Sequence, residues 1–254
     1  MSRKINNKGN EYFRVMTDTS EPGAADVYLY GYIGQEKWWD DDPTEALTDL
    51  AVVKAIKDLE KSYNRINIRI NSPGGSVMHG DPIISAIRNS TADIHTYNDG
   101  MAASMAFDIW VAGKNRHAAA HSKFMVHATA TVAIGTAADM RSAAAMLDKF
   151  DETSVASMAL ATGLDEETIR GEYYDYADHW LTARDAKNLG LVAELEDYQT
   201  TAPVQEPEKM SFRQLLSVAH RVAMPQEKDE NEFEKEKWRE DILSRRILLN
   251  QKSL

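Results

Sequence analysis

The sequence predicts an α/β fold built from repeated β-α-β units, and three observations carry that reading. Ile66, Ile68 and Ile70 alternate with Asn67, Arg69 and Asn71, the two-residue period of a half-buried strand. Just before them, Leu47, Leu50, Ala51, Val53, Ala55, Ile56 and Leu59 recur at helical spacing. The order then repeats: a helix through Ile83, Ile84, Ala86 and Ile87, a strand from Ile94 to Tyr97, and another helix opening at Ser104. Strands alternating with helices form a mainly parallel sheet covered by helices. With 254 residues, 43% of them hydrophobic, the chain can bury one substantial core and carry an appendage.

Taken in order, residues 1–25 are polar, end in Ser20-Glu21-Pro22-Gly23, and read as a flexible leader. Val27, Leu29, Gly31 and Ile33 alternate with tyrosines and predict a strand from Val27 to Ile33. Trp38-Trp39 reads as core rather than as an oligomer contact. Asp40-Asp41-Asp42 before Pro43 reads as a solvated turn and helix N-terminus, where negative charge is favourable, rather than as a metal site. The helix that follows is expected from Thr44 to Lys61. The strand through Ile70 delivers the chain to Pro73-Gly74-Gly75, a turn at a strand's C-terminal end, which is where open α/β sheets place their sites. Lys123 to His127 predicts a further strand ending at a histidine. Val132-Ala133-Ile134-Gly135 leads to a long helix opened by the capping pattern Thr136 to Asp139 and stopped by Gly163. A second capping pattern, Thr182 to Asp185, opens a helix that Gly190 stops.

The composition changes after Tyr198. Thr200-Thr201-Ala202-Pro203 and Glu206-Pro207-Glu208 read as a linker. Two amphipathic stretches follow, Phe212 to Val222 and Trp238 to Leu249, separated by a run from Pro225 to Lys237 in which nine of thirteen residues are charged. The domain reading is therefore a leader at 1–25, an α/β domain at 26–198 and a linker with a helical tail at 199–254. Residues 1–198 hold 19 basic and 30 acidic residues while 199–254 hold 10 of each, so the net charge of −11 belongs to the first 198 residues. An acidic surface of that kind lacks the clustered Lys and Arg that a nucleic-acid partner requires. No cysteine is present, which rules out disulfides and cysteine chemistry and suits a reducing compartment. Met1 to Asn10 carries positive charge with no apolar stretch behind it, unlike a signal peptide. The most apolar window, Met101 to Gly113, is broken by Asp108 and is shorter than a membrane span. The expectation is a cytoplasmic protein with no membrane partner.

Gly100-Met101-Ala102-Ala103-Ser104-Met105-Ala106 sets one hydroxyl among small residues, where a helix start can press close to neighbouring backbone. A serine becomes a nucleophile when a general base takes its proton and backbone N–H groups receive the oxyanion. Upstream, Asn71-Ser72-Pro73-Gly74-Gly75-Ser76 leaves N–H groups uncluttered by side chains. Downstream lies His127, singled out from the seven histidines by its position at a strand end.

Ile70-Asn71-Ser72-Pro73-Gly74-Gly75, Gly100-Met101-Ala102-Ala103-Ser104-Met105 and Met125-Val126-His127 together resemble the proteolytic subunit of the Clp protease. Ala177-Asp178-His179-Trp180-Leu181-Thr182-Ala183, with Ala186 and Gly190-Leu191-Val192, is similar to the family's closing segment. The likeness spans roughly residues 27 to 195. Tyr30-Gly31-Tyr32-Ile33-Gly34 followed by Trp38-Trp39-Asp40 resembles the Clp-like head-maturation proteases of phages and prophages more than the housekeeping subunit.

The resemblance implies a Clp protease/crotonase-like head with a projecting strand-helix handle over Val132 to Ala161. It also implies a serine endopeptidase with Ser104, His127 and Asp178 as triad, and an oxyanion hole made by the N–H groups of Gly75 and Met105. Substrate is expected to lie extended beside Ser76-Val77-Met78, pairing through main-chain hydrogen bonds. No cofactor and no metal are called for. Homo-oligomeric rings are implied, with room for an ATPase unfoldase as partner, and a capsid or scaffold polypeptide as substrate in the host cytoplasm. Ala128-Thr129 and Ala177 depart from the family pattern, which leaves Asp175 as the alternative acid. Three rival readings stay open: a housekeeping-type Clp subunit, an acyl-CoA hydratase or isomerase of the same fold that needs no Ser104, and a catalytically silent capsid-assembly scaffold.

Overall fold

A computed structural model describes residues 13–17, 23–34 and 47–196. The chain divides into two units, Met1–Phe212 and Arg213–Leu254. The readings of Trp38-Trp39, Asp40-Asp41-Asp42 and the 199–254 tail lie outside the described residues.

The described residues hold eight strands in one sheet. β1 (Phe13–Met16) pairs antiparallel with β2 (Ala24–Tyr30), and β2 runs parallel to β3 (Arg65–Ser72). β3 is parallel to β4 (Asp93–Ala103). β4 then serves two neighbours. Its first half, His95 to Asn98, pairs with β5 (Asn115–Ala119), and its second half, Met101 to Ala103, pairs with β6 (Lys123–Val126). β5 carries the two-residue β8 (Leu195–Glu196), and β6 pairs antiparallel with β7 (His179–Thr182). The long central strand therefore splits the sheet, and the fork lies next to Ser104.

The helices are α1 (Asp49–Leu59), α2 (Val77–Arg88), α3 (Met105–Val111), α4 (Ala137–Thr162), α5 (Glu166–Tyr173) and α6 (Ala183–Asn188). Ile66, Ile68 and Ile70 of β3 are buried, as the alternation requires, against Val52 and Ile56 of α1 and Ile83 of α2 in one core. Beyond the fork, Trp110 and Phe124 pack with ring centroids 4.5 Å apart, and Trp110 Nε1–H donates to the His117 carbonyl, so the buried indole leaves no orphan donor. The opposite face of β3 is polar: Arg69 holds Asp99 of β4, which also accepts from the Tyr30 hydroxyl at 2.8 Å. Among the described residues no helix is long and apolar enough to cross a membrane.

Several boundaries differ from those the sequence predicts. The stretch read as a flexible leader contributes β1 and the first two residues of β2, because Val15 is buried and Ala24 and Ala25 take up pairing with Arg65 and Ile66. β2 ends at Tyr30 rather than Ile33. α1 begins at Asp49, since Thr48 Oγ1 accepts from Ala51 N–H and so caps the helix. Both expected capping boxes form, at Thr136/Asp139 and Thr182/Asp185, and Gly163 closes α4 at φ 77°. Among the described residues the strand half of the strand-helix handle does not form: residues 127–135 pair with no strand. The first half of α4 buries no residue and is exposed apart from the half-buried Ala143 and Leu147, and the helix buries only Asp151, Val155, Met158 and Ala159.

Candidate active site

Three neighbouring strand ends build the site. β4 pairs with β6 through Ala103 opposite Met125, so Ser104 is the first residue beyond β4, and its N–H donates to the Met125 carbonyl at 2.8 Å. β6 pairs with β7 through Val126 opposite His179. Antiparallel strands run in opposite directions, so the residue after Val126 and the residue before His179 fall side by side. Those residues are His127 and Asp178, and the sheet's register alone brings them together although 50 residues separate them in sequence.

Ser104 sits at φ 53°, ψ −128°, a positive φ that a non-glycine residue rarely adopts and that costs of order 1–3 kcal/mol. This sharp strand-to-helix corner sets Oγ 2.8 Å from His127 Nε2, within hydrogen-bond range. On the other side, His127 Nδ1 lies 3.6 Å from Asp178 Oδ1. That separation is too long for a hydrogen bond but short enough for the carboxylate to bias the ring, and such contacts are often loose without substrate. Burial pushes His127 below its usual value, while Asp178 and, less strongly, Asp151 push it back up. The imidazole is thus neutral at pH 7, the form that accepts a proton.

The alternative acid faces elsewhere. Asp175 Oδ1 is 2.6 Å from His179 Nε2 and also accepts from Ala177 N–H, and the His179 contact holds its carboxyl below the usual range.

The glycine turn explains why two small residues are needed. A Cβ on Gly74, whose φ is +95°, would lie 2.5 Å from the Ala103 carbonyl oxygen and 2.9 Å from Ser104 Cβ; one on Gly75 would lie 2.1 Å from the Ile33 carbonyl oxygen. The turn is clasped by Ile33 N–H to the Gly74 carbonyl (2.9 Å) and Ser76 N–H to the Ile33 carbonyl (2.8 Å). Between those two bonds, the Gly75 N–H finds no acceptor among the described residues, and neither does that of Met105, the first residue of α3.

At the segment expected to line the substrate, Ser76 is the N-cap of α2 with extended backbone (φ −72°, ψ 124°), and Val77 and Met78 lie in the helix's first turn. The Ser76 N–H is already used by Ile33, and its carbonyl accepts from Gly80 N–H.

Two carboxylates next to the site escaped the sequence reading. Asp151 of α4 is 4% exposed, and its Oδ1 accepts from Thr129 N–H at 2.7 Å, two residues beyond His127. Asp108, one turn after Ser104, accepts from the Ser154 hydroxyl at 2.9 Å, and its burial pushes it up to about 7. The available signal was spacing: Asp151 stands on the stripe of α4 shared with Val155 and Met158, a charge on a buried face. Among the described residues no group of three His, Cys, Asp or Glu side chains could hold a metal ion.

The model of the Clp protease family matches residues 44–199, more than half of the chain. A curated relative from Bacteroides fragilis, described as an ATP-dependent Clp protease proteolytic subunit, is 35% identical over 132 residues; the match covers 51% of this chain and 63% of the relative, so the chain spans less than two thirds of that protein. An ATP-dependent Clp protease proteolytic subunit 1 from Corynebacterium jeikeium is 33% identical over 151 residues, covering 58% and 79%. Among solved structures, a ClpP1 mutant from Listeria monocytogenes superposes with a TM-score of 0.56 at 28% identity, covering 67% of this chain and 90% of that one. The family match takes in the glycine turn, the Ser104 corner, His127 and Asp178 alike, and the chain belongs to the Clp protease family.

Proposed function

We propose that the chain is a serine endopeptidase. The observation that carries this reading is the 2.8 Å approach of Ser104 Oγ to His127 Nε2 at a backbone corner whose strain has no evident structural use. Ser104 Oγ attacks the scissile carbonyl carbon while His127 Nε2 takes its proton; His127 returns that proton to the amine as the C–N bond breaks, then deprotonates a water that hydrolyses the acyl-serine ester and restores Ser104. Asp178 biases the ring so that Nδ1 keeps its proton, and it stabilises the imidazolium that forms. The N–H groups of Gly75 and Met105 receive the oxyanion. Peptide hydrolysis by these groups uses no cofactor and no nucleotide; an ATPase partner serves to unfold larger substrates.

The finer reading is head maturation: a phage or prophage enzyme that cleaves capsid or scaffold polypeptide in the bacterial cytoplasm. It is supported by the resemblance of the Tyr30 to Gly34 segment and the following tryptophans to that branch. The test of the activity is mass-spectrometric detection of a fluorophosphonate adduct. The adduct is expected on Ser104 in the parent chain and absent from Ser104→Ala, which also loses hydrolysis of short unstructured peptides. Parent chain that forms no adduct, or a Ser104→Ala variant turning over within tenfold of it, overturns the reading.

A further inference from the structure

We propose that Asp151 of α4 is a positioning residue for His127, anchoring the backbone just beyond the base and adding negative charge to its surroundings. The proposal rests on the peptidase reading above. His127 directly follows the last residue of β6, and among the described residues the segment after it, 128–135, pairs with no strand. A residue at such an exit has no ladder to fix it on its far side. The Asp151 carboxylate supplies the missing restraint: Oδ1 accepts the Thr129 N–H at 2.7 Å from a helix position that is 4% exposed. A buried carboxylate accepting a backbone N–H makes a charge-assisted hydrogen bond, stronger than a neutral one.

One turn further along α4, the Ser154 hydroxyl donates to Asp108, which lies one turn after Ser104. The same face of α4 therefore holds the helix that carries the nucleophile and the segment that carries the base. Val155 and Met158, fully buried on that face, fix α4 against the core and give the clasp a rigid support. Asp151 touches neither Ser104 nor a reacting atom, so its effect passes through His127. A misplacement of about 1 Å at a catalytic group can lower turnover by roughly 10²-fold.

The ionisable groups that interact here are His127, flanked by Asp178, together with Asp108 of α3 and Tyr174 after α5; Asp81 and Arg88 of α2 act in turn on Asp108. Asp151 works against the burial that pushes His127 down. Because the neutral imidazole is the active form, activity is present above the His127 pKa and lost as pH falls through it.

Two substitutions separate anchor from charge. Asp151→Ala removes both, and kcat per titrated active site is expected to fall about tenfold or more with KM little changed. Asp151→Asn keeps an oxygen for Thr129 N–H and discards the charge. It should recover most of the lost kcat while moving the acid limb of kcat/KM down by roughly half a pH unit or more. Asp108→Asn, assayed alongside, shows which break in the profile belongs to His127. Protection of the Thr129 amide in hydrogen exchange should be lost in Asp151→Ala and kept in Asp151→Asn, whatever the activity. A purely structural role would lower the melting temperature and the active fraction but leave kcat per site and the acid limb unchanged. That result, or unchanged Thr129 protection in Asp151→Ala, overturns the proposal. Fluorophosphonate labelling of the parent chain separately tests the peptidase reading.

Discussion

Asp175 and Asp178 lie three residues apart, and only the register of one strand pair distinguishes them. Asp178 borders His127 because Val126 faces His179, whereas Asp175 is spent on His179 and the Ala177 N–H. Asp178→Asn is therefore expected to lower kcat by roughly 10³-fold or more through loss of the correct imidazole tautomer. Asp175→Asn should stay within a few-fold of the parent. Peptide turnover measured on both variants checks the ranking, and the reverse order transfers the acid's role to Asp175. Ser104 and His127 were legible in the sequence because a hydroxyl among Gly and Ala and a histidine at a strand end are local features. Asp151 was not, since its meaning depends on which backbone N–H its helix meets across 22 residues of chain.

At the level of elements, the strands that build the site were legible where side chains alternate by size and polarity, as in Ile66, Ile68 and Ile70. They were missed where small or polar residues pair only because a neighbouring strand is present. The reading of β4 stopped at Tyr97, but pairing with β6 carries the strand through Gly100 and two alanines to Ala103, residues with little strand preference of their own. β5, with the sequence Asn-Arg-His-Ala-Ala, gave no periodic signal for the same reason, and the charged α5 gave none because Ile169 alone of its residues is buried. The glycine turn makes an element-level prediction. In Gly75→Ala, the new methyl group meets the Ile33 backbone and not a flexible side chain. Since the Ile33 clasp cannot hold, a loss of at least about 2 kcal/mol is expected, or a fall of roughly 4–8 °C in Tm, with hydrolysis abolished. Thermal melting together with a peptide assay checks this, and an unshifted melt would show that the turn can move aside.

For the whole molecule, the segment from Ala128 into the first half of α4 is the conspicuous feature. Val132 is 89% and Ile134 95% exposed, and Met146 is 47% exposed. Contiguous exposed apolar residues mark association surfaces, and a chain segment with no strand partner of its own can find one on another copy. Light scattering after size exclusion is expected to show an oligomer, and Val132→Asp combined with Ile134→Asp should reduce it to smaller species. A monomeric parent at micromolar concentration with full activity would refute that. The register of β6 and β7 also has a consequence for how the chain is made. Ser104 and His127 leave the ribosome well before Asp178, and the carboxylate cannot reach the ring until His179 has been synthesised and paired with Val126. At about 5–20 residues per second, the nucleophile precedes the acid by roughly 4–15 s. During that interval the growing chain lacks the carboxylate that completes the proposed triad.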